Sequence, residues 1–63
     1  MELIDGMTNY DGDTLDIYAD LDFSQYGDIE SCPAQLRDET GTIIKTGTYQ
    51  YVITWAYRRG YIF

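Results

Sequence analysis

Histidine is absent from this chain, cysteine and proline occur once each, at Cys32 and Pro33, and only four of the 63 residues are basic. Each shortage closes a class of chemistry. With one thiol and no imidazole, neither an internal disulfide nor a Cys/His zinc site can form. Ser24, Ser31 and Cys32 have no histidine to deprotonate them as nucleophiles. A carboxylate pair could do acid and base work, but a chain this short has little volume for the water-excluding pocket that raises a carboxylate pKa. The expectation is therefore a protein that is not an enzyme, with no catalytic residue, no metal and no cofactor. No apolar run approaches the about eighteen residues of a membrane span, and Glu2 directly after Met1 does not open a secretory signal. A lone, reduced, half-buried thiol fits a cytoplasmic protein.

What is present is acid. Eleven carboxylates against four bases give a formal charge of -7, and the distribution is more informative than the total. From Met1 to Leu36 there are nine acids and no base; from Arg37 to Phe63 there are four bases and two acids, so the halves carry -9 and +2. A field of that sign repels phosphates and argues against direct binding to DNA or RNA. Six of the ten aromatic residues fall in the last fifteen positions, which makes the carboxy-terminal half the source of packing area. At 44% hydrophobic the chain is too apolar for a disordered acidic tail, and its length allows one domain over residues 1–63. A domain of this size buries only about 60% of its unfolded surface, so its stability is marginal.

Between Thr14 and Phe23 apolar Leu15, Ile17, Ala19, Leu21 and Phe23 alternate with Asp16, Tyr18, Asp20 and Asp22, a period of two that predicts a half-buried strand. The Tyr10–Asp13 turn signal before it implies a partner strand over Glu2–Thr8. A second hairpin is expected from Ala34–Arg37, a Gly41-closed loop and Thr42–Lys45, with Thr46-Gly47 breaking the chain. Tyr49–Tyr57, rich in aromatic and β-branched residues, reads as a central strand, and Tyr61–Phe63 as a short final one. One short helix is expected between Ser24 and Leu36, capped by Ser31 and entered through Pro33. The expected fold is mainly β: a small, curved antiparallel sheet of four to five strands with that one short helix.

Two motif-like stretches dissolve on inspection. Asn9, Asp11 and Asp13 match the first ligands of an EF-hand loop, but Thr14 stands where its glycine belongs and Asp20 where its glutamate belongs. Arg59–Phe63 has a trace of the RNA-binding RNP1 pattern, but Ile62 replaces its small residue and the chain stops short of its end.

The acidic strand face is left. On an extended strand Asp20 and Asp22 would stand about 6.7 Å apart, repelling by about 0.6 kcal/mol in water. Asp11, Asp13, Asp28 and Glu30 in the adjoining loops add to that cost. Solubility and the blunting of strand edges explain some of this charge, but mixed Lys and Glu would serve both without self-repulsion. Single-sign charge fits better with a basic partner, steered in by its field. The candidate partner-binding residues are Asp16, Tyr18, Asp20, Asp22, Tyr26, Asp28 and Glu30, the two tyrosines serving as anchors.

In size and charge, carried by Asp16, Asp20, Asp22, Asp28 and Glu30, the chain resembles the small acidic inhibitors that phages encode against bacterial defence, including anti-CRISPR proteins and other DNA mimics. The resemblance implies a stoichiometric inhibitor acting in the host bacterial cytoplasm, which would occupy the nucleic-acid-binding surface of a basic protein or effector complex. Two other expectations stand beside it. One is a small structural or assembly protein pairing through its aromatic carboxy-terminal strand. The other is a homo-oligomer, in its simplest form a homodimer, in which the +2 half of one copy meets the -9 half of the next.

Overall fold

The computed structural model describes all 63 residues. Strands β1 (Glu2–Thr8), β2 (Thr14–Ala19), β3 (Pro33–Arg37) and β4 (Ile43–Thr48) form one antiparallel sheet in the order β1-β2-β3-β4. A one-turn helix, α1 (Phe23–Tyr26), and a 3-10 turn (Ile29–Ser31) fill the crossing between β2 and β3, and helix α2 (Tyr49–Tyr57) follows β4 directly. The mainly β antiparallel sheet expected from the sequence is what forms, with four strands and with both β1 and β4 as edges.

Two hairpins of one design set the register. In the first, Asn9 Oδ1 accepts from the Asp11 and Asp13 amides at 3.1 and 2.9 Å. In the second, Asp38 Oδ1 accepts from the Thr40 and Thr42 amides at 2.9 and 3.1 Å. Each turn then needs a residue at positive φ, supplied by Gly12 at +84° and Gly41 at +85°. A side chain that mimics a backbone acceptor fixes the bend through local contacts alone. Glu39 Oε1 accepts from the Thr14 amide at 3.2 Å, tying the two turns together at one end of the sheet.

Alternation along β2 puts Leu15, Ile17 and Ala19 on the covered face, where they meet Ala34 and Leu36 of β3, Met7 of β1 and Val52, Ile53 and Ala56 of α2. These nine residues are the whole hydrophobic core cluster. Cys32, expected half-buried, is fully covered and its thiol donates to the Asp28 carbonyl at 3.3 Å.

Five expectations are corrected. Tyr49–Tyr57 is a helix, not a central strand. The segment carries two periods at once: the odd-numbered aromatics alternate as in a strand, while Tyr49, Val52, Ile53 and Ala56 recur at helical spacing. Thr48 resolves the ambiguity by capping, its Oγ1 accepting from the Tyr51 amide at 3.2 Å, and an otherwise open sheet face supplies the surface the helical stripe buries. The expected chain break at Thr46-Gly47 is absent: both residues lie inside β4. Gly47 matters for a different reason, since a Cβ there would stand 2.6 Å from Tyr51 Cδ2, and its absence lets the first turn of α2 fold back onto the strand.

Strand β2 ends at Ala19, short of Phe23, because Asp22 caps α1 instead of continuing the ladder: it accepts from the Gln25 amide at 3.2 Å. Ser31 caps nothing; Asp28 caps the 3-10 turn, accepting from the Ser31 amide at 3.1 Å, and Pro33 opens β3. The final strand is reduced to a single bridge, Ile62 exchanging two backbone hydrogen bonds of 2.8 Å with Thr8.

Candidate functional site

The meander fixes where each charge goes. Glu2 begins β1 opposite Ala19, so it lies at the same end of the sheet as the β2–β3 crossing and the start of α2. That end carries Glu2, Asp20, Asp22, Asp28 and Glu30 with no base. The opposite end holds the two hairpin turns, with Asp11, Asp13, Asp38 and Glu39, together with Arg58 and Arg59 just past α2. Along the strands Asp5 lies in β1, Asp16 in β2, Arg37 in β3 and Lys45 in β4. Helix α2 runs from the base-free end toward the arginines, and its macrodipole is favourable to both.

Of the seven candidate partner-binding residues, five gather in the crossing: Asp20, Asp22, Tyr26, Asp28 and Glu30. The row of Asp16, Asp20 and Asp22 on one strand face does not form, because only Asp16 lies in β2. Burial pushes the Cys32 thiol up, and the negative charges of Asp20, Asp28 and Asp22 add to that rise. Ser24 Oγ donates to Asp22 Oδ1 at 2.7 Å, which with the Gln25 amide holds that carboxyl below the usual aspartate range. Within the crossing, Asp22 and Asp28 are thus held in place by short-range hydrogen bonds.

Asp16 and Tyr18 stand apart, on the sheet face that α2 leaves open. Arg37 pairs with Asp16 in register, but its guanidinium lies over the Tyr18 ring at 4.0 Å and donates to Gln35 Oε1 at 3.0 and 3.3 Å. The cation thereby lowers the net charge of this face and covers one side of the tyrosine.

A second surface, expected from the sequence only as a strand edge, is built as a helix face. The outward side of α2 lines an open groove of about 480 Å³ with Gln50, Tyr51, Thr54, Trp55, Arg58 and Arg59, none of them acidic. Arg59 lies 3.8 Å over the Trp55 ring and donates to the Trp55 carbonyl at 3.1 Å. Lys45, projecting from β4 beneath, stands 5.3 Å from the Tyr51 ring and 5.6 Å from that of Trp55. Cations stacked on aromatic faces keep their charge while covering apolar area. The signal was legible only as a helix: Tyr51, Trp55, Arg58 and Arg59 stand at i, i+4, i+7 and i+8.

No three His, Cys, Asp or Glu side chains converge as a metal-binding group, and the Asn9 carbonyl that an EF-hand-like loop would direct at calcium is taken by backbone amides. No helix is long and apolar enough to cross a membrane. Searches of family models, curated proteins and solved structures find no match to this chain.

Proposed function

We propose that this protein is a stoichiometric inhibitor that sets its base-free acidic end against a basic nucleic-acid-binding surface of a bacterial defence effector, in the manner of anti-CRISPR and other DNA-mimic proteins, within the host cytoplasm. The supporting observation is the crossing between β2 and β3, which gathers Asp20, Asp22, Asp28 and Glu30 without an intervening base. A surface that competes with DNA needs negative charges at fixed spacing, and two of these carboxylates are fixed by caps, Asp22 on α1 and Asp28 on the 3-10 turn. Half-buried Tyr26, at the end of α1, supplies apolar contact beside them. Asp16 and Tyr18 extend the surface onto the open sheet face, with a smaller share because Arg37 stands between them.

The test is capture from bacterial lysate at low and high salt, followed by competition with duplex DNA. The expected result is a DNA- or guide-RNA-binding protein that is held at low salt, displaced by DNA, and bound at least about tenfold more weakly by the Asp20→Asn, Asp28→Asn, Glu30→Gln variant. Asn at position 28 keeps the capping oxygen, so the fold is retained. Undiminished binding by that variant sinks the proposal. Pairing through an aromatic carboxy-terminal strand is no longer a competing reading in its original form, because Tyr49–Tyr57 is a helix and has no strand edge to offer.

A further inference from the structure

The first hairpin ends in a feature with no internal purpose. Tyr10 is the most exposed of the large hydrophobic side chains, at 105% of its reference area, and makes no part of the core. Its backbone is nevertheless tightly held: Asn9 Oδ1 takes the Asp11 and Asp13 amides, the Asn9 amide donates to the Asp13 carbonyl at 3.1 Å, and the Gly12 amide returns to the Asn9 carbonyl at 3.1 Å. The result is a braced turn that carries one exposed aromatic ring and two carboxylates, Asp11 and Asp13, the latter accepting from Asn9 Nδ2 at 3.4 Å. The groove on α2 is its chemical complement, with Tyr51 and Trp55 as aromatic walls and Arg58, Arg59 and Lys45 as cations. Tyr, Trp and Arg are the residues that dominate binding energy at protein interfaces, and a pre-ordered anchor loses little entropy on docking.

We infer that the groove on α2 receives the Tyr10 tip of a second copy of this chain, with Asp11 and Asp13 meeting the groove's arginines. Because the tip and the groove are different patches, one copy can give its tip while receiving another, so the contact is either reciprocal or propagates head to tail. The contact leaves the acidic crossing untouched, so it stands or falls separately from the inhibitor proposal. It also makes a demand that general charge behaviour opposes. At -7 the copies repel one another, and removing any acid should ease association unless that acid belongs to the contact.

Sedimentation equilibrium from about 10 µM to 1 mM at moderate salt tests this. Wild type is expected to associate with rising concentration. The Asp11→Asn, Asp13→Asn variant should associate at least several-fold more weakly even though it carries two fewer negative charges, whereas Asp20→Asn, Asp28→Asn, with the same net charge, should associate as tightly as wild type or more so. Tyr10→Ala, at a position that contributes nothing to the core, should raise the dissociation constant by about tenfold. Tyr10→Ala mixed with Tyr51→Ala should associate more than either alone, since one supplies an intact groove and the other an intact tip. Circular dichroism establishes that each variant is folded. A wild type that remains monomeric at 1 mM, or a tip variant that associates as well as wild type, overturns the inference.

Discussion

The acidic crossing and the outward face of α2 carry opposite charge, and they hold it by different means. In the crossing, carboxylates are engaged by local donors: Asp22 by Ser24 and Gln25, Asp28 by Ser31. On α2 the cations rest on aromatic rings, Arg59 over Trp55 and Lys45 near both Trp55 and Tyr51. Each surface therefore stabilises its own charge without calling on the other, and both are left facing outward. A chain with so few bases gains more from keeping them on rings than from exposed ion pairs, which contribute roughly 0 to 1 kcal/mol each.

The largest perturbation is to the floor the two surfaces share. Leu36 is fully buried between β2 and α2, and Leu36→Ala should cost about 2 to 5 kcal/mol, enough to unfold much of a domain with only a few kcal/mol of stability. Loss of the denaturation midpoint, with both binding activities lost together, is the expected outcome; survival of either would mean that the two surfaces do not depend on one core.

Gly47→Ala separates them. The new Cβ would collide with the Tyr51 ring, shifting the first turn of α2 and the groove wall directly, while the crossing feels the shift through the Tyr49 amide, which donates to the Cys32 carbonyl at 2.9 Å. A destabilisation of about 1 to 3 kcal/mol, seen as a lower melting temperature, should accompany weakened self-association and a smaller loss of affinity for a basic partner.

The smallest effect is on the acid side of the pH scale. Asp22 and Asp38 titrate below the usual aspartate range, Asp22 chiefly through the Ser24 hydroxyl and Asp38 chiefly through that of Thr40. An unfolded chain takes up these protons first, so their stabilisation is complete at neutral pH. It begins to fall near the ordinary aspartate pKa of about 3.9 and is lost below the lowered native values. Thermal melts of Asp38→Ala should show a deficit against wild type at neutral pH that narrows as the pH falls below about 4. A deficit independent of pH would mean that Asp38 acts through shape alone.

The sequence was most legible where a local rule had no rival. Alternation from Leu15 to Ala19 and the turn residues Gly12 and Gly41 placed β1, β2 and both hairpins. It misled where two rules applied to the same residues. Asp22 continued the strand alternation and was also a good helix cap, and the cap prevailed, which removed Asp20 and Asp22 from the strand face and assembled the acidic end by another route. The α2 groove was invisible because its residues had been read at a spacing of two.

Composition and local pattern by themselves determined a small antiparallel β domain with nine of its eleven acids before Leu36 and six of its ten aromatics from Tyr49 onward, because turn chemistry and period-two burial act over a few residues. Only the tertiary structure decided that Tyr49–Tyr57 is helical, since that choice depends on a bare sheet face distant in sequence. By setting a helix with base and aromatic groups outward on an otherwise acidic chain, the same packing decided that the protein has two surfaces of opposite sign.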